Sequence, residues 1–248
     1  MELAGQVAFV SGATRNIGRA IAEDLASAGA AVAVCGHRDS AASEEIVTGI
    51  RSRGGRAIPL LCDVRDQLAV QAVVADARAH LGCISILVNC AAVREETPFE
   101  EIVLKDWQRI IAVVLDGAFN LCQAVLPDMR EKGGTIINIG GETGHTGARE
   151  RAHVVTAKAG LAGFTKALAL DLAADAITVN CVVPGSMETN GSSMVRHAGS
   201  QFKQKRMPPI GRRGEPWEIA AMVRMLCGPG ARYITGQAIH LNGGHSCH

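Results

Sequence analysis

The chain has 248 residues, 48% of them hydrophobic and 20% charged, a length and balance that can bury a large core and fit one α/β domain better than two. A net charge of +1, with no basic run and no interleaved aromatics, leaves no electrostatic footprint for nucleic acid or an acidic membrane surface. Eight cysteines stand singly in apolar segments without a CxxC, which suits reduced, buried thiols and indicates neither disulfides nor structural zinc; with no cationic leader and no apolar run of about 18 residues, a soluble cytoplasmic protein with no bound metal is expected.

In chain order, short β-branched runs predict seven strands at residues 7–10, 31–35, 57–62, 84–89, 135–139, 177–182 and 238–241. Between them lie Ala- and Leu-rich segments with i, i+3, i+4 spacing, such as 17–28, 67–81, 118–129 and 154–173, which read as helices. Strand and helix alternating in this way imply right-handed crossovers. The expected fold is therefore a single-domain (1–248), doubly wound Rossmann-type α/β fold, with a seven-stranded parallel sheet and helices on both faces. One irregular stretch, 186–213, carries Gly, Ser, Met and Pro208-Pro209 after a strand's C-terminal end. Ligands bind at that end of such sheets, so this stretch is the expected substrate lid.

The first strand runs into Ser11-Gly12-Ala13-Thr14-Arg15-Asn16-Ile17-Gly18-Arg19. Backbone N–H groups of such a turn, and the helix N-terminus behind it, cradle a pyrophosphate. A glycine triplet alone marks only a tight turn; the strand before and helix after favour dinucleotide binding. Asn16 holds a middle glycine position, and Asn tolerates a left-handed backbone better than most residues. This spacing resembles the short-chain dehydrogenase/reductase family. So do Cys62-Asp63-Val64 after the third strand, Asn89-Cys90-Ala91-Ala92 after the fourth, and Asn180-Cys181-Val182-Val183-Pro184-Gly185 with Thr189 following. Gly211-Arg212-Arg213-Gly214-Glu215-Pro216, Ile234-Thr235-Gly236-Gln237 and Gly243-Gly244 complete a resemblance that covers nearly the whole chain. Each motif alone has a plain alternative, a helix cap for the Asp or a turn for Pro-Gly; their order and spacing carry the resemblance.

The resemblance implies a cofactor site built from Gly12, Thr14, Arg15, Asn16, Ile17, Gly18, His37, Arg38, Asp63, Val64, Asn89, Lys158, Pro184, Gly185 and Thr189. The second strand ends Val34-Cys35-Gly36-His37-Arg38, with no carboxylate before Asp39. A glycine beside basic residues leaves room for a 2′-phosphate, which Arg15, His37 and Arg38 could pair with, so NADP is expected ahead of NAD. The alternative for Arg38 is a solvated loop charge.

Three of the family's four catalytic positions hold other residues. Val154 stands four residues before Lys158, where the family has its tyrosine. Gly141, thirteen residues before Val154, takes the serine's place, and Val114 the asparagine's. Loss of a general acid alone typically removes about 10²- to 10⁴-fold in rate. Lys158 could hold the nicotinamide ribose, as in the family, or act directly as a proton donor or Schiff-base amine. Glu142, His145, Arg149 and His153 lie between Gly141 and Lys158; His145 is the preferred acid-base candidate and Glu142 a second, although a capping or surface role suits either histidine. The single tyrosine, Tyr233, lies far away in sequence.

Three functions fit this pattern: an NADP-linked oxidoreductase acting on a carbonyl or hydroxyl substrate, similar to reductases of 3-oxoacyl thioesters but with a non-standard proton donor; a lyase or isomerase on the same scaffold; and a catalytically silent NADP-binding protein. In the 186–213 stretch, Met187, Met194 and Met207 suggest an adaptable lining or plain packing. Arg196, His197, Lys203, Lys205 and Arg206 could meet an anionic group or form a solvated face. The resemblance also implies a homo-dimer or homo-tetramer with a small-molecule substrate.

Overall fold

The computed structural model describes residues 1–189, 195–196 and 207–247. Its main sheet has seven parallel strands in the order β3-β2-β1-β4-β6-β7-β9. In chain order these are β1 (Val7–Ser11), β2 (Ala31–Gly36), β3 (Ala57–Leu61), β4 (Ile86–Asn89), β6 (Gly134–Ile139), β7 (Ile177–Pro184) and β9 (Ala238–Leu241). All seven predicted strands are present, with bounds shifted by a residue or two. Two short strands, β5 (Glu95–Glu96) and β8 (Val195–Arg196), pair in parallel apart from the main sheet.

Helices cover both faces. Helices α1 (Asn16–Ser27), α2 (Ser40–Ser52) and α8 (Pro216–Cys227) pack on one; α3 (Gln67–Leu81), α5 (Gly117–Lys132) and α7 (Ala152–Asp171) pack on the other. The strands alternate accordingly. In β1, Ala8 and Val10 join the first core while Val7 and Phe9 join the second. That two-sided burial is why these strands read as continuous apolar runs. Each fully buried Val, Leu or Ile contributes about 1.5–3 kcal/mol by leaving water.

A short α4 (Leu104–Ile111) continues through a π-turn, Ala112–Asp116, into α5. The whole run Leu104–Lys132 has the length and mean hydropathy of a membrane span. Several of its apolar side chains are nonetheless buried inside the protein: Ile110 and Val114 pack against α7, and Leu121, Val125 and Met129 join the second core.

The chain winds outward from β1 to β3, then returns to place β4 on the other flank of β1. This reversal opens a crevice beyond the carboxyl ends of β1 and β4, the usual ligand position in such sheets. Ser11 fastens that point. Its Oγ donates to the Val88 carbonyl at 3.2 Å and accepts from the N–H groups of Cys90 and Ala91 at 3.1 and 3.3 Å. The segment after β4 is thereby held over Gly12.

Candidate active site

The crevice is a cavity of about 690 Å³ running from the end of β2 to the start of α7. Its floor is the turn between β1 and α1. Gly12 has φ +64°, and a Cβ there would come within 2.9 Å of the Ala91 backbone. A Cβ on Gly18 would lie 2.1 Å from the Gly12 carbonyl. Asn16 adopts φ +48°, so it takes up the left-handed conformation that glycine would otherwise supply. Arg15, at the N-cap of α1, is extended and makes no side-chain cap hydrogen bond. The first-turn N–H groups therefore face the cavity without a side-chain acceptor. A compact, glycine-lined helix N-terminus of this kind suits a pyrophosphate.

At the β2 end, a Cβ on Gly36 would meet Thr14 Cγ2 at 2.6 Å and Ser43 Oγ at 2.9 Å, so only glycine fits beneath the turn. Asp39, the first carboxylate after β2, caps α2 by accepting the Ala42 N–H at 3.0 Å. That leaves His37, Arg38 and Arg15 as the groups presented at this end of the cavity. Asp63 lines it as well, but its carboxylate is clamped by Arg65, with Nε–Oδ1 at 2.9 Å and Nη2–Oδ2 at 2.6 Å. The Arg65 hydrogen bonds hold the Asp63 carboxyl down at about 2. Arg65 was not anticipated from the sequence; its signal is its place two residues after Asp63.

Thr14, Ile17, Val64, Pro184, Gly185 and Thr189 also line the cavity. Asn89 does not. It is buried behind the site, where its Nδ2 donates to Asn138 Oδ1 at 2.8 Å, and Asn138 donates in turn to Thr165 Oγ1 at 2.8 Å. This buried chain ties β4, β6 and α7 together.

At the opposite end, Gly140, Gly141 and Glu142 follow β6, facing Val154 and Lys158 on α7. Lys158 Nζ donates to the Ile139 carbonyl at 2.6 Å. Burial pushes the pKa of Lys158 down; the neighbouring thiols of Cys90 and Cys181 oppose the shift and the Arg94 charge adds to it. Val154 and Val114 pack together with Ile110, Ala118, Ala157 and Leu161 in a small apolar cluster. A Cβ on Gly141 would have only Lys158 Cγ and Cδ nearby, at 3.7 and 4.0 Å, so a side chain fits there.

Glu142 lines the cavity with both oxygens engaged: Oε2 lies 3.0 Å from His245 Nδ1, and Oε1 accepts from Ser246 Oγ at 3.0 Å. His145 does not line it. Its ring packs edge-on against His240 on β9, with centroids 4.6 Å apart. His153 is fully buried, and burial lowers its pKa. Tyr233 is fully exposed and does not line the cavity. Of the 186–213 stretch, Met187 and Thr189 line the cavity and Met207 is exposed. Met194, His197, Lys203, Lys205, Arg206 and the Arg196 side chain lie outside the described residues.

A doubly wound sheet with a glycine-lined helix N-terminus at its switch point defines a dinucleotide-binding α/β protein. Residues 12–246 match a family model described as Enoyl-(Acyl carrier protein) reductase. The chain is 38% identical over 250 residues to the 3-oxoacyl-(acyl-carrier-protein) reductase FabG of Aquifex aeolicus, and 37% over 247 residues to that of Escherichia coli K12, covering 98% of each chain in both cases. A short-chain dehydrogenase/reductase from Serratia marcescens superposes with a TM-score of 0.90 at 37% identity, over 100% of both chains. A blue fluorescent protein from a metagenomic library, solved in complex with NADPH, does so with 0.88 at 31%, again over 100% of both. The chain belongs to the short-chain dehydrogenase/reductase family.

Proposed function

We propose that the protein is an NADP(H)-linked oxidoreductase of 3-oxoacyl-reductase type, acting on a carbonyl or hydroxyl substrate with a proton donor other than the family's tyrosine. The observation that carries this reading is the single cavity joining an NADP-suited end to Lys158. Arg15, His37 and Arg38 would hold a 2′-phosphate, since Asp39 is spent on capping α2 and Asp63, 3.6 Å from His37 Nε2, is clamped by Arg65. Gly12, Asn16 and Gly18 would hold the pyrophosphate at the N-terminus of α1. Lys158 would hold the nicotinamide ribose, and the bound nicotinamide supplies the hydride. The NADPH complex of the fluorescent relative and the reductase names of the curated relatives support the same reading.

With Gly141, Val154 and Val114 in place of hydrogen-bonding side chains, the proton has two titratable neighbours on the cavity wall between Gly141 and α7, Lys158 and Glu142. The lowered pKa of Lys158 puts its proton within easier reach of a developing alkoxide. The same shift favours a second reading, a lyase or isomerase in which Lys158 is the reactive amine. The expected setting is a reducing cytoplasm, with eight free thiols, and the chain working as a single domain in a homo-dimer or homo-tetramer. Exposed Phe119 on α5 and Leu170 on α7 support that assembly.

The test is label transfer from NADPH deuterated separately on each face of C4, offered with a 3-oxobutanoyl N-acetylcysteamine thioester and a cell metabolite extract. Deuterium entering a product from one face, and less of it in Lys158→Ala, is expected. Products formed without label would establish the lyase or isomerase, and no change at all while NADPH binds would leave a silent cofactor-binding protein. Gly141→Ser, for which there is space beside Lys158, combined with Val154→Tyr is expected to raise ketone reduction about 10²- to 10⁴-fold.

A further inference from the structure

The cavity wall beyond Lys158 is crowded with charge, and nearly all of it is matched internally. Arg151 and the fully buried Glu96 form an ion pair. Arg109 donates to Glu95 Oε2 at 2.5 Å and to Asp106 Oδ1 at 3.1 Å. Glu142 is engaged by His245 and Ser246. Arg94 is the exception. It lines the cavity and is exposed there, yet among the described residues no carboxylate ion-pairs or hydrogen-bonds with it.

Its surroundings sharpen that mismatch. Arg94 feels the like charges of Arg151 and Lys158, against the opposite charge of Glu96 alone. Arg94 and Arg151 thus share one carboxylate that is already paired with Arg151, and Lys158 adds a further positive charge near Arg94. Residues 190–206 read Asn-Gly-Ser-Ser-Met-Val-Arg-His-Ala-Gly-Ser-Gln-Phe-Lys-Gln-Lys-Arg and contain no Asp or Glu, so that stretch has no carboxylate to give. A guanidinium crowded by like charges is relieved by an anion, and its planar fork matches a carboxylate with two parallel hydrogen bonds. The cofactor's phosphates are provided for elsewhere, at the N-terminus of α1 and beside His37 and Arg38.

We propose that Arg94 anchors a substrate carboxylate, so that the site takes a small oxo acid, or the matching hydroxy acid, as the free acid. This rests on the oxidoreductase reading of the cavity and narrows its substrate class. The anchor stands in the segment that Ser11 fixes over Gly12, so it is held relative to the cofactor turn.

The test titrates 2-oxobutanoate, 3-oxobutanoate and 4-oxopentanoate, each beside its methyl ester, into protein saturated with NADP⁺. These acids place the ketone at three distances from the carboxylate, and the N-acetylcysteamine thioester of 3-oxobutanoate serves as a neutral thioester. At least one acid is expected to bind tenfold or more tighter than its ester and than the thioester. Arg94→Gln is expected to weaken that acid about 10- to 100-fold, the range for a charge-assisted pair, and so abolish the preference; Arg94→Lys should keep part of it. Esters or thioester binding as tightly as the acids, an acid preference that survives Arg94→Gln, or no acid binding at all would each overturn the anchor. Cofactor fluorescence read on the same samples separates the two proposals: failure to bind NADPH sinks the oxidoreductase reading itself, whereas intact NADPH binding without acid preference sinks only the anchor.

Discussion

The two ends of the cavity are built from different materials. The cofactor end is largely backbone: Gly12 and Gly18 allow close approach, Asn16 supplies a left-handed residue, and the first turn of α1 has no side-chain cap. The opposite end is mostly side chain, with Lys158 on α7, Glu142 tied to the C-terminal segment, and paired arginines around them. A site made of backbone tolerates a substitution such as Asn for Gly, provided the conformation is kept. A site made of side chains changes its chemistry when those side chains change.

Breaking the backbone end should have the largest effect. Gly18→Ala drives a Cβ to 2.1 Å from the Gly12 carbonyl, so the turn must open. NADPH binding, followed by cofactor fluorescence, is expected to vanish. Next in size is the charged end, where Glu96→Gln removes the carboxylate that the buried Arg151 pairs with. Urea denaturation should show a loss of about 3–5 kcal/mol. Retained stability would mean that Arg151 finds other compensation and that the buried pair is not what holds this wall.

Arg38→Ala tests whether the β2 end reads the 2′-phosphate. NADPH affinity should fall about 10- to 100-fold while NADH affinity moves little, since Arg38 is exposed and makes no contribution to the core. Equal losses for both cofactors would remove it from 2′-phosphate recognition.

The smallest effect concerns Asp63. Its carboxyl is held at about 2 by Arg65, below the ordinary aspartate value of 3.8. In this window the unfolded chain binds the proton first, so the contribution is complete above about pH 4 and is lost as pH falls toward 2. The pair is partly exposed and screened, so the thermal midpoint of Asp63→Asn should fall only slightly less steeply than that of the unsubstituted protein over that range. Identical slopes would show that Arg65 adds nothing to stability there.

Much of this was legible locally. The β-branched runs at all seven strand positions identify themselves because a parallel strand covered on both faces needs apolar residues throughout. The Gly12–Gly18 turn is also legible, since strand, glycine bend and helix are consecutive in the chain. What the sequence does not show is non-local. The Asn89 side chain joins Asn138 and Thr165, 49 and 76 residues away, because β4 lies next to β6. Arg94, Arg109 and Arg151 look alike as charges in the sequence, and only their partners distinguish them.

The sequence by itself determined the fold, the turn at the switch point and the absence of hydrogen-bonding groups at Gly141, Val154 and Val114, because each depends on residues close together or on what a side chain lacks. Only the tertiary structure decided which charges are spent and which remain open. It set His145 against His240, Glu142 against His245 across 103 residues, and Arg94 beside the cavity with no carboxylate bonded to it among the described residues. Whether a charge is neutralised depends on distances of a few ångströms between elements far apart in the chain, and strand order and helix packing fix those distances.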